Sequence, residues 1–268
     1  MDAPRVVVWG VTGKTGRALT AALIARGVRV EGISRRDDAP AGVTRIWRPD
    51  ELPTALDGAD LAWLIAPNMY ADEVELARSF VAAASRGGVT RLGYHSVLNP
   101  DDTAMAHHLR KHAAEKLLRD GHDDVVIVRP SAYHQNLSTA ALTGRIAVPY
   151  RVDAPFRTVD LLDVGEAAAA LSLLPDPAQR VVELIGPEEL TVADMARHAT
   201  EVLHRRVDAS RVPVSADAPV DLAAMFHAYD RDGFLPHSGA DSSSLCDLLG
   251  RPATTWKTHL TTLDRSRS

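Results

Sequence analysis

The chain has 268 residues, of which 46% are hydrophobic and 24% charged, with a net charge of −5. That balance fits a globular protein of one large domain or two small ones, and excludes a disordered, collagenous or coiled-coil chain. It argues by charge against a nucleic-acid partner. A single cysteine excludes an intrachain disulfide and a cysteine-rich metal site, and no apolar run reaches the roughly 18 residues of a membrane span.

The segment Met1–Arg5 has no signal-peptide anatomy and leads into a strand-like run, so the expected location is the cytoplasm. Through the first half, short apolar runs alternate with alanine- and leucine-rich stretches, the pattern of β-α-β units around a parallel sheet. Strands are predicted at Val6–Trp9, Val28–Ser34, Val43–Trp47, Leu61–Ala66, Arg91–His95 and Val125–Arg129, with a later one at Val181–Ile185. Helices are predicted at Thr15–Arg26, Tyr70–Ser85 and Thr103–Asp120. In the second half, helices are expected at Asp163–Leu174, Thr191–His204, Val220–Asp230, Ser243–Leu249 and Thr254–Leu263. Thr191 and Asp194 have the spacing of a capping box. Asp264–Ser268 is expected to be a polar, frayed tail.

The segment Gly10-Val11-Thr12-Gly13-Lys14-Thr15-Gly16 lies between the first strand and the first helix. In that context its glycine spacing signals a dinucleotide site. Gly10 permits a tight turn, Gly13 lets backbone approach a diphosphate, and Gly16 lets the helix sit close to the strand. The helix N-terminus offers N–H groups and a positive dipole end to phosphate. The spacing is wrong for a Walker A loop.

The second strand ends in Ser34-Arg35-Arg36, and Glu31 falls too early to serve as a ribose acid. Arginine at this point suits a 2′-phosphate, because a planar guanidinium pairs with it through two hydrogen bonds. The expected cofactor is therefore NADP(H). The expected fold is α/β, a doubly wound parallel sheet of the Rossmann type over residues 1–154, continued by a returning strand within 155–185. A smaller, mainly helical substrate-binding portion is expected over 186–268.

Four segments carry a family resemblance: the Gly10–Gly16 loop, Leu64-Ile65-Ala66-Pro67, His107-His108-Leu109-Arg110-Lys111 followed by Glu115, and Arg129-Pro130-Ser131-Ala132-Tyr133-His134-Gln135-Asn136. Together with Val159–Ala168 they resemble an atypical short-chain dehydrogenase/reductase of the NmrA-like branch. The resemblance implies NAD(P) in the groove, with Ala66 and Pro67 beside it. It also implies one of two functions: reduction of quinones, enones or aromatic compounds, or redox sensing by a regulator that binds the dinucleotide without turnover.

The superfamily's Tyr-x-x-x-Lys pair reads His107-x-x-x-Lys111 here, and residues four apart share a helix face. The resemblance gives Lys111 the nicotinamide ribose. The missing phenol leaves His107 or Tyr133 as proton source, since imidazole titrates near neutrality. Ser96 sits near the superfamily's catalytic serine, with a capping role as the alternative. His108 and His112 are also four apart, but without a carboxylate partner they are expected to flank the helix and hold no metal. Met225, Phe226, Tyr229 and Phe234 either line an apolar substrate pocket or form core.

The leading expectation is an NADPH-dependent reductase of a small aromatic, quinone-like, enone or carbonyl substrate. A dinucleotide-binding regulator is the alternative, and isomerisation through transient hydride transfer a third reading. A homodimer is the candidate assembly.

Overall fold

A computed structural model describes residues 3–266. From the N-terminus, β1 (Arg5–Trp9) leads through the glycine loop into α1 (Lys14–Ile24), β2 (Arg29–Ile33) and the short β3 (Ile46–Trp47). A 3-10 turn at Pro49–Glu51 and α2 (Leu52–Leu56) precede β4 (Leu61–Leu64), α3 (Glu73–Gly87) and β5 (Arg91–His95). Next come α4 (Ala106–Gly121), β6 (Val125–Pro130), α5 (Gln135–Leu142) and β7 (Arg145–Val148). They are followed by β8 (Pro155–Arg157), α6 (Leu161–Ser172) and β9 (Arg180–Leu184). The chain ends with β10 (Glu189–Thr191), α7 (Val192–Leu203), β11 (Asp208–Arg211), α8 (Val220–Asp232), α9 (Ser243–Leu249) and α10 (Trp256–Arg265).

The chain divides into two compact units. The first comprises residues up to Asp101, His107–Arg129 and Val164–Val182; the second comprises Asp102–Ala106, Pro130–Asp163 and the chain from Glu183 onward. Seven strands form the main sheet in the order β3-β2-β1-β4-β5-β6-β9, and every pairing from β3 to β6 is parallel. The α/β doubly wound fold expected from the sequence is the one observed. The order reverses between β1 and β4, which is where an open parallel sheet of this kind holds its ligand, outside the carboxyl ends of the strands.

The strands form here because they are apolar throughout. Val6, Val7 and Val8 are fully buried, as are Leu61, Ala62, Trp63 and Leu64 within a few per cent, as a strand covered on both faces requires. α3 turns Ala77, Phe80 and Ala84 inward at helical spacing, and burying a side chain such as Phe80 is worth roughly 1.5–3 kcal/mol. The buried Trp63 indole keeps a partner by donating to Ser172 Oγ at 2.8 Å.

In the second unit the strands are short and pair in twos, β7 with β11 in parallel and β8 with β10 antiparallel. The Thr191–Asp194 capping box forms as the spacing predicts and starts α7. Trp256 of α10 is fully buried and donates from Nε1 to the Met195 carbonyl at 2.9 Å. Tyr229 and Phe234 pack into an aromatic cluster with Tyr150 and Phe156, at ring separations of 5.0–5.6 Å for the pairs that touch. These two of the four candidate pocket residues are therefore core.

Several boundaries differ from the sequence reading. The strand expected at Val43–Trp47 is regular only over Ile46–Trp47. The helix expected from Tyr70 begins at Glu73, after Met69 takes a left-handed backbone (φ 54°). Within 155–185, β8 pairs with β10, and β9 is the strand that joins the main sheet. α10 runs through Arg265, so Asp264 and Arg265 are helical rather than frayed; residues 267–268 of the expected tail lie outside the described residues. Among the described residues, no helix is long and apolar enough to cross a membrane.

Candidate functional site

Gly10 has φ +83°, and a Cβ there would stand 2.4 Å from the Ile65 carbonyl oxygen at the end of β4. A Cβ on Gly16 would lie 2.2 Å from the Gly10 carbonyl oxygen, so α1 rests directly on the turn. Gly13 meets only that same oxygen, at 3.3 Å, and serves as N-cap without a side-chain cap. The first turn of α1, which holds Lys14, Thr15 and Gly16, contains no acidic residue. A helix N-terminus with no acid in its first turn presents N–H groups and a positive dipole end, and the cradle fits a diphosphate.

Beside it, the buried Thr12 and Ser34 hydroxyls lie 2.7 Å apart. Arg36 folds back over them: its backbone N–H donates to Ser34 Oγ at 3.0 Å and its guanidinium to Thr12 Oγ1 at 3.3 Å and the Thr12 carbonyl. Arg17 also donates to the Thr12 carbonyl, at 3.1 Å. Asp38 pairs with Arg17 at 2.6 Å and Arg36 at 3.1 Å. Arg35 is exposed, and its carbonyl accepts from Arg48 at 2.9 Å. Of the two expected arginines it is thus Arg36 that meets the glycine loop. Arg17 joins it and is absent from the sequence reading, although its place next to Gly16 on the first turn of the helix is a usable signal. Glu31 lies within β2, where it pairs with Arg5 at 2.9 Å and accepts from Trp47 at 2.7 Å.

Ala66 and Pro67 continue from β4 directly past the Gly10 turn, Ala66 half-buried and Pro67 exposed. Next along the sheet edge, β5 delivers His95 and Ser96. Ser96 Oγ donates to Glu115 at 2.5 Å, and Glu115 is held by Arg129 through two bonds of 2.9 and 2.6 Å. That hydroxyl is therefore committed to a buried carboxylate.

Lys111 is 9% exposed, with its ammonium 2.7 Å from Glu73 Oε1 and 3.3 Å from the His95 carbonyl. Tyr94 donates to the same Glu73 oxygen at 2.6 Å. His107 is buried on the same face of α4 as Lys111, its ring edge-on to His108 at 4.4 Å. His108 is fully buried with Nδ1 2.8 Å from the Asn99 carbonyl, while His112 is exposed; the two do not flank the helix alike. Burial, with the Lys111 and Lys14 cations adding to it, pushes the His95 imidazole down to about 3, so it stays neutral. Nothing local in the sequence marks Glu73, which lies 38 residues from Lys111.

Tyr133 belongs to the second unit, buried and bridged to Val159. The same unit holds a serine–histidine–aspartate array: Ser138 Oγ is 2.6 Å from His259 Nε2, and His259 Nδ1 is 2.6 Å from Asp160. Ser138 Oγ donates to the His134 carbonyl at 2.9 Å, one turn back in the helix. This is the local bond that buried helix serines commonly make, and it turns the hydrogen away from the imidazole.

Comparison with known proteins places the chain among related sequences. The sequence model of the NmrA-like family matches residues 2–231. Quinone oxidoreductase 2 of Escherichia coli (strain K12) is 24% identical over 245 residues, which cover 87% of this chain and 82% of that protein. Its structure with NADPH superposes with a TM-score of 0.81 at 20% identity, over 97% of this chain and 99% of that one. Triphenylmethane reductase of Citrobacter sp. with NADP(H) gives 0.76 at 19% identity, over 96% and 99%. The negative transcriptional regulator NmrA with NAD gives 0.79 at 19% identity, over 100% and 97%.

Proposed function

The chain belongs to the NmrA-like family, and from that premise we propose that it is an NADPH-dependent reductase of a small quinone-like, enone or aromatic carbonyl substrate. The observation that carries the reading is a lysine ammonium held at the same sheet edge as an uncapped glycine-loop helix. Gly10, Gly13, Gly16 and the N–H groups of Lys14 and Thr15 would hold the diphosphate. Thr12, Ser34 and Arg36, with Arg17 and Arg35, would hold the 2′-phosphate. Ala66 and Pro67 would line the groove, and Lys111 would hold the nicotinamide ribose. Bound there, the nucleotide would supply a hydride to the substrate. Substrate recognition falls, on this reading, to residues 186–268.

The proton has two candidate sources. His107 shares a helix face with Lys111 and is buried beside it; Tyr133 remains the phenolic alternative. His95 is a poor donor because its imidazole stays neutral. Tyr94 is another poor donor, since burial and then the Glu73 charge push its phenol well above the usual value. The working enzyme would be cytoplasmic and act on a small molecule.

The replacement of the expected tyrosine by His107 favours a second reading, a regulator that binds the nucleotide without turning it over. NADPH oxidation followed by absorbance of the reduced nicotinamide, against naphthoquinones, enones and aromatic ketones, separates the two. Oxidation with one class is the expected result. Tight NADPH binding with no oxidation by any member would overturn the reductase and leave the regulator.

A further inference from the structure

One buried carboxylate at this edge has no part in the reading above. Glu73 opens α3, and its side chain is 1% exposed. A carboxylate removed from water is costly unless it is paired and hydrogen-bonded. Here two donors converge on a single oxygen: the Tyr94 hydroxyl at 2.6 Å from β5 and the Lys111 ammonium at 2.7 Å from α4. The ammonium also donates to the His95 carbonyl at 3.3 Å and stands 5.4 Å from the centre of the Tyr94 ring. An ammonium has three N–H donors, so Glu73 and the His95 carbonyl leave one for a ligand.

Lysine is a point charge on a flexible four-carbon stem. A lysine that must meet one ribose in one orientation gains from an anchor, because ordering it in advance removes that cost from binding. We propose that Glu73, fixed by the Tyr94 hydroxyl, is the positioning residue for Lys111 and aims its remaining N–H at the nicotinamide ribose. This rests on reading Lys111 as the ribose ligand. The superfamily's pair has lysine acting on a tyrosine; in this chain tyrosine acts on a carboxylate and the carboxylate on lysine. The burial that keeps the Tyr94 phenol protonated makes it a permanent donor to Glu73.

The test uses the full chain, NADPH followed by its own fluorescence, and 2′,5′-ADP, which lacks the nicotinamide half. Glu73→Gln should weaken NADPH binding at least tenfold and reduce the fluorescence gain on binding, while 2′,5′-ADP binds as before. In a Lys111→Met background, Glu73→Gln should add nothing. Unchanged NADPH affinity in Glu73→Gln overturns the proposal. So does an equal loss for 2′,5′-ADP, or a full further loss in the Lys111→Met background, because each marks a merely structural role. Should Glu73→Gln fail to give a cooperative melting transition, Glu73→Asp decides: it keeps the charge but withdraws it by one methylene, and affinity equal to the parent overturns the proposal. If Lys111→Met itself binds NADPH normally, the ribose reading fails first. If Lys111→Met loses affinity and Glu73→Gln does not, only the role of Glu73 fails.

Discussion

Each unit of the chain buries a cluster of ionisable side chains, and the two clusters differ in what they leave over. In the first unit, Glu73 and the His95 carbonyl take two of the three Lys111 donors at the edge where the glycine loop opens. In the second, the polar groups close on one another. Asp160 accepts from His259, Gln135 and the Leu162 N–H, and Ser138 reaches both His259 and the His134 carbonyl. His134 in turn meets Thr158 Oγ1 at 2.8 Å and the Thr254 carbonyl at 3.1 Å. The second cluster has the residue types of a hydrolase and the contacts of a fastening: it ties α5, the segment before α6 and α10 together. Residue identity therefore says less about chemistry than whether a donor or acceptor remains directed outward.

The strongest way to break this contrast is at His259. Burial pushes the Asp160 carboxyl up, but the bonds from His259, the Leu162 N–H and Gln135 outweigh that and hold it below the usual range. His259→Ala leaves a buried carboxylate without its main partner, and breaking such a pair costs about 3–5 kcal/mol. Urea unfolding should show a loss of that order. A loss within error would mean that the array carries no structural load.

The second prediction concerns acid. Burial, with the His259 charge adding to it, pushes His134 down to about 4, although the Thr254 carbonyl and two carboxylates pull the other way. The contacts suit the neutral ring, with Nε2 donating to the carbonyl and Nδ1 accepting from Thr158. In the unfolded chain the imidazole titrates near 6.5. Between these values the unfolded state binds a proton that the folded state refuses, so stability falls as pH drops. For this residue the loss approaches about 3 kcal/mol by pH 4, since each tenfold difference in proton affinity is worth about 1.4 kcal/mol. His134→Gln should flatten that part of a stability-against-pH curve; an unchanged slope would remove His134 as its source.

Returning to the open cluster, Arg36→Ala should weaken NADPH at least tenfold, about 1.4 kcal/mol, and leave NADH unchanged. Arg35→Ala should do less, because of these two exposed arginines it is Arg36 whose guanidinium bonds to Thr12 of the glycine loop. Calorimetry with both nucleotides checks the order, and a larger loss at Arg35 would reverse the assignment.

The first unit is legible in sequence because its signals are local. Val6–Trp9, the glycine spacing and Leu61–Leu64 each announce themselves within a few residues. The helix-face argument likewise brings His107 and Lys111 together, and both are buried on α4. The second unit is legible only in its longer helices. β7, β8, β10 and β11 are three or four residues each, too short for a period-2 pattern to stand out. α5 has eight residues and begins with the polar Gln135 and Asn136. Glu73 and the Asp160–His259 contact depend on which elements the fold brings side by side, and separation along the chain hides that; Arg17, five residues from Thr12, is open to a local reading. Ser96 shows the converse: its sequence position leaves catalysis and capping open, and only the fold shows its hydroxyl bound to Glu115.

The smallest expected effect sharpens the comparison most directly. Ser138→Ala removes the group that a hydrolase would use as nucleophile. If the array is a fastening, the change removes one hydroxyl with two contacts, 2.6 Å to His259 and 2.9 Å to the His134 carbonyl. A net hydrogen bond is worth about 1 kcal/mol, so the unfolding free energy should fall by roughly that much and no more than the roughly 1–3 kcal/mol of an orphaned buried partner. NADPH affinity should not change, because every residue assigned to the nucleotide lies in the first unit. Hydrolysis of p-nitrophenyl acetate should be at background in the parent and the variant alike. The serine is 5% exposed and already donates along its own helix, so neither access nor proton transfer to His259 is in place. A parent hydrolysis rate that Ser138→Ala abolishes would show that the closed cluster opens in solution, and the contrast between the two units would then have to be given up.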